Sequence, residues 1–279
     1  MPLLAILKVT SYNKIVLQAT IQQILELNRQ FYQNLAGQFS STRLRLQPGM
    51  QKVLHLIPDD VRVLDLGCGN GEFWHGLYSK GFQGEYIGID FSINLLRLAH
   101  SRQITKPLKS TPPTDRMGEF PEIQPIPGIP LFIQKDLSQD NWESFLADKE
   151  FDFILAFSVL HHIPGTELRH KVLKKIHNLL SPNGCFIHSE WQFLESERLR
   201  ARIQPWEIIG LSSDLVDMND YLLDWRHGGY GLRYVHYFSE EELSDLAKDS
   251  QFMIIESFRS DGQGGKLGLY QIWGNSIII

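Results

Sequence analysis

The chain has 279 residues, 43% hydrophobic and 21% charged, enough for a globular core in one large domain or two small ones. A net charge of -5 argues against a polycationic nucleic-acid binder, while leaving room for a local basic site. Its two cysteines, Cys68 and Cys185, are far apart and form no CxxC pair, so the expectation is a reducing, cytoplasmic setting without structural zinc. No apolar run reaches the length of a membrane span, and the opening MPLLAILKVTSYNK lacks the basic start and small-residue cleavage site of a signal peptide.

In chain order, Ile15, Ala19, Ile24, Phe31 and Leu35 recur at loosely helical spacing, predicting one or two amphipathic helices over 13–37 that end at Gly37. A regular alternation then begins. Strands are predicted at 61–66 (VRVLDL), 85–89 (EYIGI), 130–134 (PLFIQ), 151–157 (FDFILAF) and 184–190 (GCFIHSE), with helices at 71–80, 92–102, 141–149 and 166–180 between most of them. Two last runs, 252–258 (FMIIESF) and 268–273 (GLYQIW), are joined by SDGQGGK, too short for a crossover helix, and so form an antiparallel hairpin. The expected fold is α/β: a doubly wound, mostly parallel seven-stranded sheet with a C-terminal antiparallel hairpin and N-terminal helices. Residues 1–50 read as a helical cap and 51–279 as the main domain. Within it, the proline-rich 105–130 reads as a surface loop, and 192–238, rich in Trp, Tyr, Arg and His, as an insert that selects substrate.

The stretch VLDLGCGNGEF carries the first chemical signal. Asp65 precedes Gly67, Gly69 and Gly71 where a strand runs into a helix. Glycines there let the backbone turn tightly and approach a ligand, to which the helix start offers free N–H groups. A plain strand-to-helix turn would explain the glycines alone, but not the polar residues at the next three strand ends. The second strand ends in Asp90, suited to accept from ribose hydroxyls; the third leads into Asp136 and Leu137; the fourth ends in FSVLHHIP. Polar groups at four successive strand ends mark the crevice where open sheets bind ligands.

This set resembles the S-adenosylmethionine-dependent methyltransferases of the seven-stranded, Rossmann-like class, over roughly residues 50–275. The resemblance implies S-adenosylmethionine as cofactor, with the Gly67–Gly71 loop at its methionine part, Asp90 at the ribose, and Asp136 and Leu137 at the adenine. Asp65, Cys68, Phe91 and Phe157 complete the expected cofactor wall, Cys68 as a small filler rather than a nucleophile. Two further stretches, FSSTR (39–43) and RYVHYF (233–238), resemble the tRNA 5-carboxymethyluridine carboxyl methyltransferases, which esterify a modified wobble uridine. This chain departs from that pattern at Gln47-Pro48-Gly49 and in its proline-rich segment. The implied acceptor is tRNA, the alternative a small molecule. The eukaryotic members of that family work with a small zinc-binding activator, and this sequence does not show whether one is used here.

Moving a methyl group to a carboxylate needs placement and exclusion of water rather than a strong base. A guanidinium can hold one carboxylate oxygen while the other reacts. Arg43, Arg226 and Arg233 are candidates, Arg43 equally for the carboxylate of the cofactor. His162, Arg233 and His236 are the expected catalytic residues. His161 and His162 divide between packing and substrate contact, and adjacent histidines after a strand are expected to point apart, which argues against a metal site. Tyr234 and His236 share one face of an extended segment, which a solvated edge explains as well as a site does. Trp191, Trp206 and Trp225 read as core or lid rather than a base-stacking platform. Glu240, Glu241 and Glu242 read as the first turn of a helix capped by Ser239. A cofactor-holding protein without catalysis is disfavoured by the intact loop with both Asp90 and Asp136.

Overall fold

The computed structural model describes residues 18–103, 126–146 and 149–275. Most of the proline-rich segment, and the start of the predicted first helix, lie outside these residues.

Three helices open the described chain: α1 (Gln18–Asn34), α2 (Ala36–Ser41) and α3 (Pro48–Leu56), the last with Pro48 in its first turn, where a missing N–H costs nothing. α3 runs across residue 50. The alternating part is then β1 (Arg62–Leu66), α4 (Glu72–Ser79), β2 (Glu85–Asp90), α5 (Ile93–Gln103), β3 (Leu131–Gln134), β4 (Phe151–Phe157), α6 (Thr166–Leu179) and β5 (Leu180–Trp191). The helix predicted at 141–149 is instead a 3-10 turn at Ser144–Leu146. There, QDNWESFL supplies too few apolar positions for a longer amphipathic face.

The main sheet has seven strands in the order β3-β2-β1-β4-β5-β10-β9, where β9 is Phe252–Ser260 and β10 is Gly268–Asn275. Strands β1 to β5 pair in parallel, while β10 runs antiparallel to both β5 and β9. The expected doubly wound sheet with its terminal hairpin is therefore present. β1 is buried along four of its five residues, as a central strand covered on both faces must be. On one face, Leu64, Leu66 and Ile154 pack under α6 (Val172, Leu173, Ile176) and under Leu243 and Leu246 of the helix α8 (Glu240–Asp249). On the other, Val63, Tyr86 and Ile187 pack under α3, α4 and α5 through Val53, Phe73, Trp74, Leu77 and Leu96. Ser239 caps α8, its hydroxyl accepting from the Glu242 N–H at 3.1 Å, with three acids in the first turn, as the sequence predicts.

The insert carries order that the sequence reading did not resolve. A short helix α7 (Glu197–Arg200) leads into a second, three-stranded antiparallel sheet, β6 (Ile203–Gln204), β7 (Asp220–Trp225) and β8 (Gly231–His236). Helix α1 lies against β8, so the N-terminal helices and the insert together close over the carboxyl ends of the main strands.

Candidate active site

The carboxyl ends of β1 to β5 open into a cavity of about 350 Å³, within the range of small-ligand sites. Its floor is the glycine loop. Gly67, Gly69 and Gly71 all hold positive φ (67°, 56° and 72°), a region closed to most side chains. A Cβ on Gly69 would meet nothing within 4 Å, so this backbone borders open space. The loop N–H of Gly69 donates to Asp90 Oδ2 at 2.9 Å, and Ser92 N–H donates to Oδ1 at 2.7 Å. Asp90 thus braces the loop while facing the cavity, and burial raises its carboxyl to about 6. Asp65 is buried behind the loop, where burial, partly offset by a 2.5 Å bond from the Tyr86 hydroxyl, raises it to about 7.

At the next strand end, Asp136 accepts from Arg29 of α1 at 2.7 Å and from the Ser138 N–H at 2.9 Å. Burial pulls its carboxyl up, but the Arg29 and Ser138 bonds outweigh this and hold it below the ordinary value. After β4, Ser158 takes φ 59°, an uncommon conformation for a non-glycine residue, with its N–H tied to Ser189. The chain then turns through the 3-10 segment Leu160–His162.

Helix α1 forms the opposite wall with Leu25, Asn28, Arg29 and Tyr32. Three guanidiniums line the cavity without a carboxylate partner among the described residues, those of Arg43, Arg233 and the exposed Arg45. Arg43 lies over the Phe39 ring at 5.1 Å, and burial together with the Arg233 charge lowers it from its ordinary value. Arg233, on β8, is buried at 7% exposure against Trp191, Phe31 and Trp225, with centroid distances of 4.6, 5.4 and 5.6 Å. Its Nε is sealed from solvent and has no hydrogen-bond partner among the described residues.

Comparison with known proteins decides the family. A family model described as a methyltransferase domain matches residues 33–257. The chain belongs to the methyltransferase domain family. The tRNA (carboxymethyluridine(34)-5-O)-methyltransferase of Schizosaccharomyces pombe is 23% identical over 83% of this chain and 90% of its own. A putative methyltransferase of Encephalitozoon cuniculi is 24% identical over 81% and 87%. A macaque tRNA (carboxymethyluridine(34)-5-O)-methyltransferase is 26% identical over 60% of this chain, which spans only 20% of that longer protein. Among solved structures, a SAM-dependent methyltransferase from Methanosarcina mazei shares the fold with a TM-score of 0.57, at 22% identity, over 83% of this chain and 99% of its own.

This methyltransferase is of the S-adenosylmethionine-dependent, Rossmann-like class, and its cavity fits that methyl donor. The open space over Gly69 and the acceptor oxygens of Asp90 are what a close-lying nucleoside with a ribose diol requires. Of the site residues predicted from sequence, Arg43, Asp65, Gly67, Cys68, Gly69, Asp90, Phe91, Asp136, Leu137, Phe157, His162 and Arg233 all line this one cavity.

His236 does not. Its Nδ1 lies 2.7 Å from Asp220 and its Nε2 2.8 Å from Glu242, so both ring nitrogens are engaged in a buried cluster behind the insert. The extended segment does place Tyr234 and His236 on one face, but that face turns to Asp220 and away from the cavity. Arg226 is also elsewhere, exposed and forked onto Asp224 at 2.9 and 2.5 Å.

His162 lines the cavity with both nitrogens occupied. Nδ1–H donates to the Tyr234 carbonyl at 3.0 Å, and Nε2 accepts the Tyr32 hydroxyl at 2.7 Å. Burial and the Arg233 charge lower it to about 3, so it stands as a neutral ring. The two histidines do not point apart, because they sit on a 3-10 turn and not a strand; their ring centroids are 4.5 Å apart. Sequence reasoning missed Arg29, Tyr32 and Glu190, which reach the cavity from distant parts of the chain. Arg29 and Tyr32 stand three apart on the helix predicted over 13–37, and this shared face was the one signal that could have brought the pair forward.

Proposed function

We propose that this methyltransferase esterifies a carboxylate, that of a 5-carboxymethyl group on a wobble uridine in tRNA. One observation carries the reading: Arg233 is a buried guanidinium at the cavity, stacked among three aromatic rings and without a carboxylate partner among the described residues. A buried charge left so is costly until a ligand of opposite sign completes it. The names of the Schizosaccharomyces and macaque relatives support the acceptor, as do the FSSTR and RYVHYF segments.

The cofactor would be held by the glycine loop and the start of α4, by Asp90 at the ribose and Asp136 at the adenine, with Arg43 for its carboxylate. When bound, S-adenosylmethionine supplies an electrophilic methyl group on a sulfonium. Arg233 then orients the acceptor, and Tyr32 and Leu25 of α1 keep water from the cavity. The carboxylate is already a nucleophile, which agrees with a His162 whose two nitrogens are both taken.

A second reading, a small-molecule carboxylate acceptor, is favoured by the net charge of -5, since a protein binding phosphates alone usually shows a basic surface. The test of the shared claim is Arg233. Arg233→Ala should lower kcat/KM on a carboxymethyluridine stem-loop by roughly 2–5 kcal/mol of transition-state binding, at nearly unchanged cofactor affinity. Arg233→Lys should recover little, because an ammonium lacks the planar fork. Wild-type turnover in Arg233→Ala would remove the carboxylate clamp.

A further inference from the structure

Glu190, near the end of β5, is a carboxyl group enclosed between two imidazoles. His188 Nδ1 lies 2.9 Å from its Oε1 and His161 Nδ1 lies 2.8 Å from its Oε2, while the His161 backbone N–H donates to Oε2 at 3.2 Å. The Glu190 and His188 side chains are fully buried and that of His161 is 2% exposed. Nothing in the methyl-transfer reading above uses this group, yet Glu190 and His161 both line the cavity.

The hydrogen bonds determine where the protons are. The Trp191 backbone N–H donates to His161 Nδ1 at 3.3 Å, so Nδ1 is an acceptor and the ring proton sits on Nε2. The short contact between Nδ1 and Glu190 is then attractive only if Oε2 carries a proton and donates it to Nδ1. Burial favours that state, pushing the Glu190 carboxyl well up and the His188 ring down to about 3. Neutral His188 donates from Nδ1 to Oε1, which leaves its Nε2 as the bare, partnerless atom found there among the described residues. His161 Nε2, in contrast, is not sealed away and has no hydrogen-bond partner among the described residues.

We propose that His161 is a second contact to the acceptor, its Nε2–H donating to the same carboxylate oxygen that Arg233 holds and so leaving the other oxygen to attack, with Glu190 as the positioning residue that fixes this tautomer. The inference rests on the carboxylate reading above. It assigns the donor role to the first histidine of the pair, whose neighbour is already committed to Tyr32 and Tyr234. It also gives the enzyme a preference: a carboxylate can take both donors on one oxygen and attack with the other, whereas a neutral hydroxyl acceptor would need the opposite tautomer, with Nε2 bare to receive a proton.

The tautomer can be read without turnover. In ¹⁵N NMR of the wild-type protein bound to S-adenosylhomocysteine, His161 should show a protonated Nε2 and a bare Nδ1; the reverse pattern overturns the inference. Kinetics on a carboxymethyluridine stem-loop supply the second readout. His161→Phe should lose about 10- to 100-fold in kcat/KM with cofactor affinity unchanged. Glu190→Gln should recover part of what Glu190→Leu loses, because its amide can donate to Nδ1 although it cannot also accept the His161 backbone N–H, while Glu190→Leu should fall as far as His161→Phe. Full activity in His161→Phe, or Glu190→Gln as impaired as Glu190→Leu, contradicts the assignment. A wild-type enzyme inert toward the stem-loop would sink the acceptor reading instead, and the NMR pattern would still decide which proton His161 presents.

Discussion

Asn28 on α1 pairs with Tyr234 on β8 much as a neighbouring strand would: its Oδ1 accepts the Tyr234 N–H at 2.8 Å and its Nδ2 donates to the Tyr234 carbonyl at 3.2 Å. β8 is the edge of the small sheet, and this side chain satisfies backbone groups there that would otherwise be buried unpaired. Asn28→Ala should therefore destabilise the protein by about 1–3 kcal/mol, read as a lower urea midpoint. It should also impair turnover more than cofactor binding, since α1 and β8 carry Tyr32 and Arg233. An unchanged midpoint would show that the pairing is dispensable.

The glycine loop gives a binding test. Gly69→Val forces a branched side chain into a positive φ and into the open space above the loop, so cofactor binding should be lost in calorimetry. Asp90→Ala removes the acceptors proposed for the ribose, worth roughly 1.5–3 kcal/mol for charged bonds, and should weaken binding by about 10- to 100-fold. Because Asp90 also accepts the Gly69 and Ser92 N–H groups, this variant should melt at a lower temperature as well. Wild-type affinity in either protein would remove the assignment.

Asp65 yields a pH test. Its folded value of about 7 stands above the ordinary 3.8, chiefly from burial. A raised folded value means that the stability carried by the protonated form is complete below about pH 4 and is lost as pH rises through 7. Asp65→Asn keeps the Tyr86 partner but cannot ionise. Its melting temperature, relative to wild type without cofactor, should therefore improve between pH 5 and pH 8. A difference independent of pH would mean that Asp65 is ionised throughout.

Arg169 of α6 ties the insert to the main domain. It is 1% exposed and donates to the Ile163 carbonyl at 2.9 Å and the Tyr234 hydroxyl at 3.1 Å, with Asp220 at 3.5 Å and Glu242 at 3.7 Å. Arg169→Met would strand these carboxylates, and breaking a buried ion pair in this way costs about 3–5 kcal/mol. Differential scanning calorimetry should show a large fall in melting temperature. A shift like that of a surface substitution would contradict this role.

The sheet was legible because each strand is a short apolar run bounded by turn residues, and the polar wall of the cavity because its acids stand at successive strand ends. The small sheet was not, although DYLLDW and GLRYVH flank a glycine pair in RHGGY. Buried Asp220, Asp224, Arg233 and His236 break the apolar alternation that marks a strand, and their partners lie far off in sequence. His236 entered the expected catalytic set through the RYVHYF resemblance; only its fold partners, Asp220 and Glu242, show it as a clamp. The Glu190–His161 contact spans 29 residues between two strand ends, a juxtaposition that no local pattern encodes.

The most direct test of carboxylate methylation is analysis of the product. The purified protein is incubated with S-adenosylmethionine and an anticodon stem-loop bearing 5-carboxymethyluridine, and the nucleosides are then examined by mass spectrometry before and after mild alkali. The expected result is a wobble nucleoside heavier by one methylene that returns to its starting mass in alkali, as an ester must. A methyl group that survives alkali, or no methylated nucleoside from a protein that binds S-adenosylmethionine, would contradict the account.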